Sequence, residues 1–248
     1  MRPIRSARSS RARLWRGPDA AQHAAHELAV VPLLVLDRPD ADAERGPPRR
    51  DRLRGHVRDH GRMLSTFLRR PFRTGTVVPS SRGLAELMVD EMDLPAAETV
   101  VELGPGTGVF TRLIAERVRA DAVVLAFEID PSLARELQLQ MPRVRVVNDS
   151  AEHLPQHLVA AGRSAADAIL SGLPWANFSR ELQERLLGAV VAGLRPGGRF
   201  ATFAYVPAAY FPAGRRFRAL LEDRFPRVET TRVVYRNFPP AFVYRCVK

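Results

Sequence analysis

The stretch Val100-Val101-Glu102-Leu103-Gly104-Pro105-Gly106-Thr107-Gly108 decides how the rest of the chain is read. Its first half is an apolar, β-branched run of the length of a buried strand, and its second half is a glycine-rich turn. Val109 to Arg119 follows with helical periodicity, so the order is strand, turn, helix. Glycines at such a turn let the backbone approach a ligand closely. A dinucleotide fingerprint would need a third small residue at position 109, where the chain has Val109, and Pro105 removes one amide donor from the turn. Glu102 is the sharper objection. A carboxylate at the strand end repels a pyrophosphate, but it suits a ligand bearing an ammonium and a sulfonium.

Outward from this motif the pattern repeats. Upstream, Ser80 or Ser81 is placed to cap a helix running to about Met92, which Pro95 ends. Downstream, Ala122 to Glu128 is predicted as a strand, Pro131 to Gln140 as a helix, Val144 to Val147 as a third strand and Ala168 to Ser171 as a fourth. A helix over Arg180 to Leu194 then leads through Pro196-Gly197-Gly198 into a strand from Arg199 to Tyr205. Strands alternating with helices of this length imply an α/β fold, a mostly parallel sheet with helices on both faces. The end differs: Val228 to Tyr235 and Ala241 to Val247 flank Asn237-Phe238-Pro239-Pro240, which predicts a closing antiparallel hairpin.

The front of the chain is distinct. Of the formal charge of +11, most sits in residues 1–73, which hold 17 arginines against eight acids. Residues 1–50 lack sustained periodicity and are punctuated by Pro39, Gly46, Pro47 and Pro48, so they are expected to be a disordered or weakly ordered basic extension. From Arg52, the residues Leu53, Val57, Leu64, Phe67 and Leu68 fall near helical spacing among arginines, predicting a basic amphipathic helix. The domain is therefore placed at 51–248, with N-terminal helices at 51–93 and the sheet-forming core at 94–248. The longest apolar run, Leu28 to Leu36, is interrupted by Pro32 and is far shorter than the roughly 20 residues that a membrane-spanning helix needs. The arginine-rich opening is followed by no clean apolar run with a small-residue cleavage site, so no signal peptide is expected. The single cysteine, Cys246, has no internal disulfide partner, which fits a reducing compartment.

Acids recur at the carboxyl ends of successive strands. Glu128 lies about 20 residues past the turn, where an acid accepts ribose hydroxyls. Asn148-Asp149-Ser150 ends the third strand, and an acid there is placed to accept from an adenine amino group, a turn or helix cap being the alternative for Asp149 alone. Open sheets of this kind bind ligands at that edge. The pairs His56 and His60, and His153 and His157, have a spacing that could grip a metal, but no third ligand supports it. They are expected to be surface histidines, with no metal site.

Glu102 to Gly108, Glu128, Asp149 and Arg195-Pro196-Gly197-Gly198 together resemble the class I, Rossmann-like S-adenosylmethionine-dependent methyltransferases. Within that class, Phe67-Leu68-Arg69-Arg70-Pro71, Gly75, Val78-Pro79-Ser80-Ser81, Ser171-Gly172-Leu173-Pro174-Trp175 and Asn237-Phe238-Pro239-Pro240-Ala241-Phe242 look like bacterial phospholipid N-methyltransferases. The resemblance runs from about Phe67 to the C-terminus. It implies S-adenosylmethionine as methyl donor, held by Glu102, Gly104, Gly106, Thr107, Gly108, Glu128, Ile129, Asp149, Ser150 and Ser171. It implies an acceptor site at Ser171, Leu173, Pro174, Trp175 and Tyr205.

In amino-methyltransferases the position of Ser171 carries an Asn or Asp that accepts hydrogen bonds from the target amine; here Ser171 and Gly172 offer a hydroxyl and a backbone carbonyl instead. The face of Trp175 could hold a cationic amine by an attraction worth about 0.5–2 kcal/mol, or the ring could simply pack at the sheet edge. Methyl transfer needs in-line positioning and a neutral amine, and Tyr205, Glu102 and backbone carbonyls are the candidate proton acceptors.

The implied acceptor is an amine on a membrane lipid headgroup, phosphatidylethanolamine or an aminolipid such as ornithine lipid. The implied location is cytoplasmic, peripheral on the anionic inner face of the cell membrane. The helix at 52–70 would lie on the bilayer or pack on the domain. Arg215, Arg216 and Arg218 around Phe217 form a second basic cluster, which would reach a lipid phosphate or be a solvated helix face. The alternative is an RNA adenine dimethyltransferase, which shares the glycine turn, Glu128-Ile129-Asp130 and a Leu-Pro-aromatic motif. Ser171 in place of the Asn expected there, and no room after the hairpin for a helical RNA-binding domain, count against it. A non-catalytic module is disfavoured by the intact acids Glu102, Glu128 and Asp149.

Overall fold

The computed structural model describes residues 82–248. The extension at 1–50, the basic helix at 52–70 and the caps at Ser80 and Ser81 lie outside the described residues. The first helix, α1 (Arg82–Val89), buries Leu84, Ala85, Met88 and Val89, a single stripe at helical spacing. It ends before the Met92 limit predicted for it.

All five residues of β1 (Thr99–Leu103) are buried, and α2 (Val109–Arg117) follows the glycine turn. The helix stops two residues short of Arg119, where Val118 adopts extended backbone. Next come β2 (Val123–Phe127) and α3 (Pro131–Gln140), the latter with the bounds expected for it. Its start is well specified: the Asp130 carboxylate accepts from the amides of Ser132 and Leu133, and Pro131 takes the first helical position. β3 (Arg145–Val147), α4 (Leu154–Ala160), β4 (Ala166–Ser171) and α5 (Arg180–Gly193) continue the alternation.

Two further stretches depart from expectation. β5 (Leu194–Tyr205) begins at Leu194 rather than Arg199, because Pro196-Gly197-Gly198 is a bulge within the strand and not a loop before it. Ala166 pairs with Leu194 but Ala168 pairs with Arg199, and the Gly197 amide donates to the Lys248 carbonyl at 2.7 Å, which pins the excursion. β6 (Arg227–Thr230) is shorter than the run Val228 to Tyr235 because Thr231 turns out of the ladder, its hydroxyl accepting from the Val243 amide at 3.0 Å. Before it come two helices for which no bounds are drawn from the sequence, α6 (Val206–Tyr210) and α7 (Pro212–Arg224). The basic cluster lies on α7: Phe217 is buried, and Arg218 pairs with Glu222 at 2.9 Å.

The last strand, β7 (Ala241–Val247), is antiparallel to both β5 and β6. The sheet order is β3-β2-β1-β4-β5-β7-β6, and every other pairing is parallel. Successive residues of a strand point to opposite faces, which separates the core in two. Val101, Leu103, Ile169 and Phe200 pack beneath α4, α5 and α7 through Leu158, Leu187 and Leu221. Val100, Val124, Leu170 and Val243 pack beneath α1, α2 and α3 through Met88, Ile114 and Leu137. Both faces are thus covered, and the polar chemistry is confined to the strand ends.

Candidate active site

The turn after β1 is built by backbone conformation. Gly104, Gly106 and Gly108 have φ of 72, 54 and 79°, the left-handed region that side chains disfavour. A Cβ on Gly106 would meet nothing within 4 Å, so the turn opens onto free space at that residue. The opposite holds where β1 meets β4. A Cβ on Gly172 would lie 2.6 Å from the Gly104 carbonyl oxygen, and the Gly172 amide donates to the Leu103 carbonyl at 2.7 Å. The ends of the two central strands are therefore locked together beside the open turn.

Glu102 is fully buried at the end of β1, and neither carboxylate oxygen has a hydrogen-bond partner among the described residues. Burial pushes its pKa up to about 7; the Thr111 hydroxyl beside it opposes the rise without reaching hydrogen-bonding geometry, and the charge of Glu128 adds to it. A buried carboxylate without a donor is costly unless a cation completes it. Glu128 is 1% exposed, and burial raises its pKa too, although backbone amides oppose the rise. Its Oε2 accepts from the Gly106 amide at 3.2 Å and its Oε1 from the Asp130 amide at 2.9 Å, which ties the glycine turn to the end of β2. Each oxygen keeps a lone pair for a ribose hydroxyl.

At the end of β3, Asp149 is held from two sides. His153 Nδ1 lies 3.0 Å from its Oδ1 and His157 Nε2 lies 2.8 Å from its Oδ2. Burial works to raise its pKa, but these two histidines and the Ser150 amide outweigh it, and the carboxyl ends below its ordinary value. His153 is exposed as expected; His157 is not a plain surface residue, since its ring also meets Phe127 edge-on at 5.4 Å. The spacing 149, 153, 157 was visible in the sequence, but a pairing with a carboxylate five residues before the helix was not drawn from it. Asn148, also unassigned, donates from Nδ2 to the Glu128 carbonyl at 2.9 Å and joins β3 to β2. Thr107 is exposed in the turn, and Ile129 is half-buried after Glu128. Ser150 is engaged locally on every side: its hydroxyl accepts from the Glu152 amide at 3.3 Å as an N-cap, its amide donates to the Asp149 carboxylate at 2.7 Å and its carbonyl accepts from the His153 amide at 3.0 Å.

The acceptor side differs from expectation at its aromatic. Trp175 is 3% exposed and stacks on Phe217 at 4.5 Å, with Phe178 and Phe200 edge-on to it. Its ring faces are in the core, so it does not present a free face to a cationic amine. Its Nε1 instead donates to the Ser171 hydroxyl at 3.1 Å, and Gln183, buried on α5, donates to the Trp175 carbonyl at 2.7 Å. The Ser171 hydroxyl also accepts from the Leu173 amide at 3.3 Å, while its carbonyl accepts from Thr202 at 3.0 Å. Ser171, Leu173 and Trp175 are thus fixed, with half-buried Pro174 between them. Tyr205 closes β5 on the other face, its ring edge-on to Phe203 at 5.5 Å; burial pushes its phenol above the ordinary value.

These ends of β1, β2, β3 and β4 form one continuous edge. Its chemistry fits S-adenosylmethionine: an orphaned buried carboxylate that could take an ammonium, an open glycine turn, a carboxylate with spare lone pairs for hydroxyls, and a fixed acid that could accept from an amino group. Among the described residues, no group of three or more His, Cys, Asp or Glu could hold a metal ion.

Comparison with known proteins agrees. Residues 100–198 match the family model described as a methyltransferase domain. Over 187 residues the chain is 37% identical to the ornithine lipid N-methyltransferase of Singulisphaera acidiphila, a similarity covering 73% of this chain and 93% of that protein. The ribosomal RNA small subunit methyltransferase A of Corynebacterium jeikeium is 33% identical over 96 residues, which is 36% of this chain and 29% of that protein. An O-methyltransferase from Streptomyces achromogenes, solved in complex with S-adenosylmethionine, shares the fold with a TM-score of 0.57 at 19% identity, over 75% of this chain and 89% of that one. With the fold, the cradle and a relative matched over nearly its whole length, the chain belongs to the class I S-adenosylmethionine-dependent methyltransferases, in the family that includes the S. acidiphila enzyme.

Proposed function

We propose that this enzyme methylates the amine of a membrane lipid headgroup, with ornithine lipid and phosphatidylethanolamine as the first candidates. The observation that carries the reading is the similarity to the ornithine lipid enzyme across 93% of that protein, whereas the RNA-modifying relative is matched over 29% of its length. When bound, S-adenosylmethionine supplies a methyl group, which leaves its sulfonium sulfur as the amine lone pair forms the new N–C bond, with S-adenosylhomocysteine as product. Glu102 holds the ammonium, Glu128 the ribose hydroxyls, and Asp149 the adenine edge while His153 and His157 fix its carboxylate. The fixed Ser171-to-Trp175 segment forms the wall against which the acceptor is positioned, with Trp175 acting through Ser171 rather than on the amine.

Neither side-chain candidate for the proton acceptor serves as a base. Tyr205, its phenol pushed further up by burial, stays protonated near neutral pH and does not take up the amine's proton, and Glu102 is committed to the cofactor. The neutral fraction of the amine is then the species that reacts, so kcat/KM is expected to rise about tenfold per pH unit until the amine's own pKa is approached. The enzyme would work as a peripheral protein at the cytoplasmic face of the membrane; among the described residues no helix is long and apolar enough to cross it. The test is methyl transfer from labelled S-adenosylmethionine to liposomes containing either lipid, beside unmodified small-subunit rRNA. Label in one lipid supports the reading; label only in RNA overturns it and leaves the cofactor cradle standing.

A further inference from the structure

The edge that carries the cofactor cradle continues to the end of β5 and the start of β7. Tyr205 pairs with Ala241, and the Val206 amide donates to the Pro240 carbonyl at 2.8 Å, so the segment 206–212 and the connection 231–240 are tied together there. Each presents two aromatic rings to solvent: Tyr210 and Phe211 are 71% and 63% exposed, and Tyr235 and Phe238 are 81% and 70% exposed. The other large exposed apolar side chains among the described residues, Leu139 and Val159, sit singly on α3 and α4. The backbone that carries the rings is held by close contacts. A Cβ on Gly214 would lie 2.2 Å from the Ala208 carbonyl oxygen, so α6 and α7 are in backbone contact, and buried Asn237 donates from Nδ2 to the Pro239 carbonyl at 2.8 Å.

The charge around these rings has one sign. Neither 205–216 nor 231–240 contains an acid, and together they carry Arg215, Arg216, Arg232 and Arg236, all exposed. None of the four has an ion-pair partner among the described residues, although neighbouring Arg218 and Arg227 are paired with Glu222 and Glu229. Exposed aromatic rings interleaved with unneutralised arginines, on the side of the molecule where the substrate must arrive, have the chemistry of an interfacial membrane contact.

We propose that this edge is the membrane-docking face, the four rings entering the boundary between headgroups and acyl chains of an anionic bilayer while the four arginines hold lipid phosphates. The inference rests on a lipid acceptor and deepens it: the open side of the cradle and the bilayer surface then face one another. RNA, whose bases stack on aromatic rings and whose phosphates bind arginine, is the competing partner.

The test is co-sedimentation of the full chain with vesicles of phosphatidylcholine alone or mixed with phosphatidylglycerol. With each surface-bound arginine worth about fivefold in binding to an anionic surface, Arg232→Ala combined with Arg236→Ala is expected to weaken binding to anionic vesicles about 25-fold and binding to neutral vesicles far less. Phe211→Ser with Phe238→Ser is expected to weaken both, with S-adenosylmethionine binding as the control for folding; should that variant misfold, the arginine pair still decides. Anionic-vesicle binding equal to the parent's in the arginine variant overturns the proposal, as does loss of rRNA binding without loss of vesicle binding. Methylation of detergent-dispersed aminolipid reports on the acceptor alone. If that lipid is methylated while the variants bind vesicles normally, only the docking face falls. If the variants lose the vesicle but no lipid is methylated, only the lipid acceptor falls.

Discussion

Glu102 concentrates the tension in this site, because the group that the cofactor needs is one that the protein alone would rather not bury. Its value of about 7 lies above the ordinary 4.5, so the folded protein keeps a proton that the unfolded chain releases. Stability is therefore greatest below the unfolded value and falls as pH rises through the folded one, by about 3 kcal/mol at about 1.4 kcal/mol per unit. Glu102→Gln removes that dependence. In urea unfolding without cofactor, the variant's stability relative to the parent should improve by about 3 kcal/mol between pH 4 and pH 8, and an unchanged difference would place Glu102 in a solvated site. The same substitution should weaken S-adenosylmethionine binding on the order of 100-fold or more, since a buried ion pair loses one partner. Trp175 shows the reverse case, a residue legible as functional whose contacts are structural. Trp175→Ala should cost about 3–5 kcal/mol of stability; a normal unfolding midpoint with a raised KM for the amine would restore the cation-binding role.

At the scale of elements, what was legible follows from how locally each boundary is set. α3 carries its own cap in Asp130 and its own start in Pro131, so its limits could be read directly. The glycine turn was equally plain, since glycine adopts its three left-handed conformations at the least cost. The bulge in β5 was not, because it depends on Lys248 binding back to Gly197 from the far end of the chain. The clamp on Asp149 was missed for a related reason: His157 meets it from within α4, eight residues along the chain and beyond the short turn at Ala151–His153. The two kinds of glycine can be separated by substitution. Gly106→Ala faces open space and should cost stability only through its positive φ, about 1–2 kcal/mol, while obstructing the cofactor. Gly172→Ala meets backbone and should lose about 1–3 kcal/mol by forcing β1 and β4 apart. Calorimetry of folding and of cofactor binding on both variants checks this; equal loss of cofactor affinity at equal stability would mean that the open space at Gly106 is not the ligand's.

Across the molecule, alternation along the strands assigns two apolar faces to two helical layers and leaves the strand ends as the place for polar chemistry. That division explains why fold and cofactor cradle could be read from the chain while the acceptor side could not. The cradle uses residues adjacent to strand ends, whereas the acceptor wall depends on Gln183, Phe217 and Thr202 arriving from distant elements. The most direct test of lipid N-methylation is intact-lipid mass spectrometry of membranes from cells producing the parent or the Glu102→Gln variant. The account predicts that an aminolipid gains one or more whole methyl groups on its headgroup amine with the parent and none with the variant. Unmodified lipid in both, with new methyl groups on rRNA adenines in the parent alone, would contradict it.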